Sequence, residues 1–204
     1  MPSKARNEIY ALPVMISSQE PSIKFRGIFI NDEAPALTGF VLEKFGSYGK
    51  EFYVKVFELL LRLKANFMWP AMWPGYPNPG SSFFTDDAEN QKTADEYGIV
   101  ISTSHHEPMQ RATNEWFEDN LDGSWSWIEN KTKISQFFDG GLKRAKGCES
   151  YLTMGMRGEY DKSMKTDNPT GVVRDVIQTQ RDLIKKLYGK EDAVPRKDFP
   201  QPMR

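Results

Sequence analysis

The sequence predicts an α/β fold built from about four strand–helix units, arranged as part of a (β/α)8 TIM-type barrel. Short apolar runs alternate along the chain with longer segments whose apolar residues recur every three or four positions. That alternation is typical of parallel strands joined by right-handed crossover helices. No GxGxxG or GxxxxGK[ST] motif follows the first apolar run, which favours a barrel over the alternative, an open nucleotide-binding sheet.

The first half of the chain contains three predicted strands and two predicted helices. Residues 28–30 form a short apolar run between Gly27 and a polar cluster, which is typical of a buried strand that ends in a loop. Residues 66–69 and 99–102 repeat this pattern, and residues 90–97 predict a short helix between them. A longer amphipathic helix is predicted by the apolar spacing of Phe52, Tyr53, Val56, Phe57, Leu60 and Leu63, with Lys55, Glu58 and Arg62 on the other side.

The second half continues with a helix, a fourth strand at residues 151–156, and a last helix. Asn168 before Pro169 is a predicted N-cap, because an amide oxygen can accept from a first-turn N–H and proline suits the first helical position. The two helices are predicted by the spacing of Ile134, Phe137, Phe138, Leu142 and Ala145, and then of Val172, Val173, Val176, Ile177, Leu183, Ile184 and Leu187.

Charge and hydropathy argue against two classes of partner. The 204 residues include 27 Lys and Arg against 28 Asp and Glu, so the basic excess of a nucleic-acid-binding surface is missing. No apolar run approaches the roughly 18 residues of a membrane helix, and residues 1–20 lack the apolar stretch of a signal peptide. Cys148 is the only cysteine, so we expect neither an intrachain disulfide nor a cysteine-based zinc site.

A cluster of polar or aromatic residues follows each predicted strand. The clusters cover residues 31–33 (NDE), 69–73 (WPAMW), 104–107 (SHHE) and 157–161 (RGEYD). In parallel α/β folds the C-terminal strand ends share one face, and that face holds the active site. The sequence therefore predicts that the four clusters converge on one pocket.

The side chains in these clusters suit the hydrolysis of an acidic sugar. Arg157 offers a planar guanidinium that can hold a carboxylate through two parallel hydrogen bonds, and Trp69 and Trp73 can stack on a pyranose ring. Glycoside hydrolysis also needs a general acid and a general base. The candidate carboxylates are Asp32, Glu33, Glu107, Glu159 and Asp161, and the sequence leaves open which two face each other.

Structural explanations stand beside these functional ones. A carboxylate after a strand often caps the next helix, which is an open explanation for Glu33 and Glu159. Trp73 can instead cover the barrel rim, and Arg157 can instead pair with Asp32 or Glu107 inside the protein. The remaining tryptophans are expected to be structural, namely Trp116, Trp125 and Trp127.

The two histidines do not predict a metal site. His105 and His106 are adjacent, so their side chains are expected to point to different sides of the chain. A shared metal would need a third ligand from elsewhere. We therefore expect no metal, and a metal-dependent hydrolase that uses both histidines and Glu107 ranks last among the hypotheses.

At the same clusters the chain resembles glycoside hydrolase family 115. The resemblance lies in residues 26–38 (RGIFINDEAPALT), 69–73 (WPAMW), 94–111 (ADEYGIVISTSHHEPMQR) and 155–161 (GMRGEYD), and it extends over residues 21–195. It implies an inverting α-glucuronidase that needs no cofactor. Its substrate would be glucuronoxylan or its oligosaccharides, from which it would remove α-1,2-linked glucuronic acid or the 4-O-methyl form.

The resemblance also implies roles for individual residues. Asn31 and Asp32 would bind sugar hydroxyls, Arg157 would lie near the uronate, and His105 would line the pocket. Asp161 and Asp32 are the candidate catalytic carboxylates. The candidate substrate contacts as a whole are Asn31, Trp69, Trp73, His105, His106, Glu107, Arg157 and Glu159.

Residues 1–21 are interpreted as an N-terminal extension, 22–195 as a partial catalytic barrel domain, and 196–204 as C-terminal coil. Members of the resembled family continue with further barrel strands, so we expect exposed strand edges and a chain that is unstable, self-associating or inactive alone. The main rival hypothesis is a non-catalytic sugar-binding remnant. Family members acting on plant xylan are commonly exported, yet this chain has no signal, so its compartment is left open.

Overall fold

The computed structural model describes residues 10, 12–31, 34–72, 82–118, 123–159 and 162–189, and it has the predicted α/β class. Strands alternate with helices along the chain, as the apolar periodicity indicates. The elements are β1 (Gly27–Phe29), α1 (Ala36–Phe45), α2 (Lys50–Arg62), β2 (Phe67–Trp69), α3 (Phe83–Asp86), α4 (Glu89–Glu96), β3 (Val100–Ile101), α5 (Thr113–Glu118), α6 (Trp127–Ala145) and α7 (Pro169–Tyr188).

The three strands form one parallel sheet in the order β1-β2-β3. Phe29 lies opposite Trp69, and Met68 lies opposite Ile101. The ladder extends one residue past β1, because the Ile30 amide donates to the Trp69 carbonyl at 2.8 Å. The predicted parallel arrangement of the first three strands is therefore confirmed.

The predicted fourth strand, residues 151–156, is wrong as a strand. Ser150 makes a single parallel bridge to Ile101, the Tyr151 amide donates to the Ile101 carbonyl, and residues 151–157 form an irregular segment without a strand. Their polar groups bond elsewhere, since the Thr153 carbonyl accepts from the Met109 amide at 2.8 Å. The N–H and C=O of Gly155 both bond to the side-chain amide of Gln180, at 2.7 and 2.8 Å. The side chain of Gln180 on α7 thus makes the backbone hydrogen bonds at Gly155 that a neighbouring strand would otherwise make.

Helix α2 packs its predicted apolar stripe against the sheet. Tyr53, Phe57 and Leu60 are fully buried in a first core that also contains Met68 and Ile101. Leu63 departs from the prediction, because α2 ends at Arg62 and the Leu63 side chain is 66% exposed. The opposite side of the helix is solvated, as predicted from its charged residues.

Helices α6 and α7 share a second core, and two predictions for this region are confirmed. Trp116, Trp125 and Trp127 are buried there, in the structural role expected of them. Asn168 caps α7, since its side-chain oxygen accepts from the Gly171 amide at 3.0 Å. Helix α6 begins at Trp127, seven residues before the periodic run that starts at Ile134.

Three helices were not predicted. In α1 a glycine interrupts the pattern and Phe40 and Leu42 are exposed, so apolar periodicity is weak. Helices α3 and α5 have 4 and 6 residues, too few to establish a helical period. Within the described ranges, none of the helices combines the length and apolar content needed to cross a bilayer.

Candidate functional site

The C-terminal ends of the strands lie at one edge of the sheet. The parallel register brings Ile30 beside Trp69, and the Ser102 amide donates to the Met68 carbonyl at 3.1 Å. The Tyr151 amide continues the series by donating to the Ile101 carbonyl at 2.9 Å. The segments that follow the strands therefore leave the same edge, and three of the predicted clusters begin there. The fourth, at Arg157, lies farther along the irregular segment of residues 151–157.

Trp69 ends β2 at this edge and is half-buried. Its ring meets that of Phe29 edge-on, with centroids 5.4 Å apart and an interplanar angle of 72°. The indole Nε1 is buried and has no hydrogen-bond partner among the described residues. An indole N–H is a donor only, so a partner for this atom has to be a hydrogen-bond acceptor.

His105 and His106 differ in exposure, but the prediction that their side chains point to different sides of the chain is wrong, because the two rings lie against each other. His105 is exposed, whereas His106 is buried, and their ring centroids are 4.2 Å apart. The turn that carries the two histidines has an internal hydrogen bond, in which the His106 amide donates to the Ser104 hydroxyl at 3.1 Å. In the ranges that the structure describes, no group of three His, Cys, Asp or Glu side chains is arranged to hold a metal ion.

Glu107 lies behind the edge in the protein interior, with 1% of its surface exposed. Ser82 Oγ donates to Oε1 at 3.3 Å, and Oε2 has no hydrogen-bond partner among the described residues. Burial, reinforced by the charge of Glu115, raises the pKa of Glu107 to about 8, while Arg144 opposes the shift. The carboxyl group is therefore mainly protonated at neutral pH.

A buried network around Glu107 was missed in the sequence. Glu115 forms ion pairs with Arg111 at 2.8 Å and with Arg144 at 3.0 Å, and all three side chains are largely buried. Burial also raises the pKa of Tyr53, with Asp86 and Glu107 adding to the shift. A signal was present in the opposite charges of Arg111 and Glu115, four residues apart in the sequence, although Arg111 precedes α5 and is not part of that helix.

The segment that carries Arg157 and Glu159 is held from two sides. The indole N–H of Trp125 donates to the Arg157 carbonyl at 3.1 Å. Beyond it, the Gly158 amide donates to the Lys162 carbonyl at 3.0 Å, and the Lys162 amide donates to the Glu159 carbonyl at 3.1 Å. The Arg157 side chain is exposed and that of Glu159 is half-buried. This turn therefore carries Arg157 at the surface of the protein.

A cavity of about 210 Å³ adjoins the turn. Its walls include Trp125, Glu159, Lys162 and the start of α6. Among the predicted site residues that the structure describes, Glu159 is the one in its lining.

Several predicted residues fall outside the described ranges. Asp32, Glu33, Trp73 and Asp161 belong to this group, so their roles stay predictions. Three predicted residues, Asn31, Trp69 and His105, belong to segments that start at the common edge of the sheet. Arg157 and Glu159 lie on the turn farther along the chain, and Glu107 is buried in the interior.

The sequence model of glycosyl hydrolase family 115 matches residues 18–200. No curated protein matches the chain. The family match includes all three strands and all seven helices described above, together with every predicted site residue. Because it covers most of the 204 residues, the chain belongs to glycosyl hydrolase family 115, a family of glycoside hydrolases.

Proposed function

We propose that this chain is part of the catalytic (β/α)8 barrel of an α-glucuronidase. The enzyme removes glucuronic acid, or its 4-O-methyl form, that is α-1,2-linked to xylan. The observation that carries the proposal is the single sheet edge from which the segments bearing Asn31, Trp69 and His105 all leave. In α/β barrels that edge holds the active site. The family match supports the hydrolytic chemistry.

Acidic-sugar specificity is assigned to Arg157. Arg157 is an exposed residue at the turn, where its side chain can reach a ligand. A guanidinium can bind a carboxylate through two parallel hydrogen bonds, which a neutral sugar cannot match. Trp69 supplies an aromatic face, and His105 supplies an exposed imidazole at the same end of the fold. This combination fits a uronic acid better than a neutral hexose.

The proposed mechanism is inversion by two carboxyl groups. One protonates the leaving oxygen while the other activates a water, with the carboxyl groups about 6.5–9.5 Å apart. Asp161 and Asp32 are the proposed pair, and no cofactor is required. Glu159 is proposed to contact the substrate from the turn. Burial of Glu107 favours a supporting role behind the edge for that residue over direct contact with the sugar.

A partial barrel is the proposed arrangement of the sheet. The three parallel strands and the Ser150 bridge are neighbours in the sheet in the same order as they occur in the sequence. Along the chain, α2 follows β1, α4 follows β2, α6 follows β3 and α7 follows the Ser150 bridge. Each is the helix of one βα unit. Within the described residues β1 pairs with β2 alone, which leaves its other side open to a further strand.

The test is the release of free glucuronic acid from glucuronoxylan by the purified 204-residue chain. If the site is completed within this chain or its oligomer, we expect release by the unmodified chain and by Asp167→Asn, and loss of release in Asp161→Asn; a chain that is inactive alone releases nothing in any of the three. Asp167 is a matched control because it is an exposed aspartate on the same connection to α7. Full activity of Asp161→Asn would eliminate Asp161 as a catalytic group.

Binding of glucuronate measured by calorimetry separates the proposal from its rival. Binding without release would identify a non-catalytic sugar-binding remnant, and absence of both would overturn the α-glucuronidase assignment. Activity lost on addition of a chelator would instead support the metal-dependent hydrolase.

A further inference from the structure

We propose that Trp125 is a positioning residue for Arg157, an inference that rests on the proposed function of Arg157 in uronate binding. The Trp125 indole N–H donates to the Arg157 carbonyl at 3.1 Å. The two residues are 32 positions apart, so the bond joins the start of α6 to the segment that follows the Ser150 bridge. It is a directional connection from the second core to the residue that bears the guanidinium.

The donor is rigidly held. Trp125 is 5% exposed, and its ring contacts Trp116 and Phe137 edge-on, with centroid distances of 5.4 and 5.8 Å. A large buried aromatic ring packed on two others has little freedom to rotate. The core therefore fixes the position of Nε1, and the hydrogen bond from Nε1 restrains the Arg157 carbonyl.

Gly158 restrains the same turn from the other side. A Cβ atom at Gly158 would lie 2.5 Å from the Ser163 carbonyl oxygen and 2.9 Å from that of Lys162. Both distances are shorter than a Cβ tolerates, so the backbone approaches itself closely here and only glycine fits. The Gly158 amide uses this approach to donate to the Lys162 carbonyl at 3.0 Å.

The neighbouring cavity explains why such restraint is needed. About 210 Å³ of open space lies between Trp125, Glu159 and Lys162. A turn without the indole bond has room to shift toward this space. Because a two-pronged contact between guanidinium and carboxylate depends on orientation, a small shift at the Arg157 backbone weakens it.

Trp127 provides a matched control. It is 4% exposed in the same core, and its indole N–H donates to Asp175 Oδ2 at 2.8 Å, on α7. Trp125→Phe and Trp127→Phe each remove one indole donor from one buried ring. Only the first removes a bond to the Arg157 segment, so a general loss of stability would appear in both variants.

The experiment measures amide hydrogen exchange across residues 156–163 and glucuronate affinity in both variants of the full chain. Loss of one hydrogen bond predicts about fivefold faster exchange of the Gly158 amide and about fivefold weaker glucuronate binding in Trp125→Phe. Trp127→Phe should leave both quantities within about twofold of the unmodified chain. Equal effects in the two variants, or unchanged exchange in Trp125→Phe, would overturn the proposal.

Gly158→Ala tests the same turn without altering the aromatic core. It should raise exchange in residues 156–163 and weaken glucuronate binding even if Trp125→Phe does not fold. Unmodified affinity in Gly158→Ala would contradict the inference. If the unmodified chain does not bind glucuronate, the proposed function fails, and the exchange comparison alone then decides whether Trp125 positions the turn.

Discussion

The hydroxyl of Ser82 donates a hydrogen bond to Glu107 Oε1 at 3.3 Å, between two side chains that are almost completely buried. This bond joins the start of α3 to the loop that follows β3. It also leaves one carboxyl oxygen without a partner among the described residues. A carboxyl group in such surroundings is stabilised in its protonated form.

Because the pKa of Glu107 is raised, we predict that the free energy of unfolding declines as pH rises. The folded-state pKa is about 8 against an ordinary value of 4.5, so the folded chain keeps a proton that the unfolded chain releases. The stabilising contribution is complete below about pH 4.5, falls as pH rises toward about 8, and is lost above that. Urea denaturation at a series of pH values measures this decline.

Glu107→Gln should flatten that dependence, because the amide does not titrate. We expect the variant to exceed the unmodified chain in free energy of unfolding by roughly 1–3 kcal/mol at pH 9, where a buried charge is most costly. Glu115→Gln is the control, since it removes the partner of Arg111 and Arg144 and should destabilise at every pH. Parallel pH profiles for Glu107→Gln and the unmodified chain would exclude Glu107 as the titrating group.

Gln180→Ala should loosen the irregular segment that precedes Arg157. The fully buried side chain satisfies both backbone groups of Gly155, which its loss would leave without these partners. The expected cost is about 2–4 kcal/mol in the free energy of unfolding, measured in urea. Gln178→Ala removes an exposed bond to Asp182 on the same helix and should change little. Equal midpoints for the two variants would argue against the role of Gln180.

Arg157→Lys should weaken glucuronate binding by about tenfold, because an ammonium group cannot form two parallel hydrogen bonds with a carboxylate. Titration calorimetry with glucuronate and, separately, glucose checks this. Arg174→Lys on the exposed side of α7 is the matched control. A similar loss of affinity in both variants would point to net charge in place of a specific contact.

Self-association is expected from the open side of β1. Ile28 and Phe29 are each 42% exposed, and no described strand pairs with that side. Unpaired backbone groups beside exposed apolar side chains favour contact between chains. Sedimentation velocity should show concentration-dependent association that Ile28→Lys reduces. Leu61→Lys replaces an apolar residue 45% exposed on α2 and should not reduce it. A monomer with a sharp two-state melt would contradict this expectation.

Local pattern was sufficient for much of the fold. The stripe from Phe52 to Leu60 predicted α2, and Asn168 with Pro169 predicted the start of α7, because each signal is contained within a few neighbouring residues. Alternation of strands and helices predicted the parallel sheet. The family resemblance came from contiguous motifs for the same reason, and the family match agrees with it.

Tertiary structure decided the features whose partners are distant in the sequence. Residues 151–156 have the composition of a strand, yet Gln180, 25 positions from Gly155, takes the hydrogen bonds that a neighbouring strand would make. Glu107 follows a strand as a surface ligand would, yet Ser82 and the network of Arg144 and Glu115 enclose it. The spacing of apolar residues in the sequence indicates which side of a helix or strand is apolar. The environment of a polar group depends on which distant residues pack against it, and only the folded chain determines that.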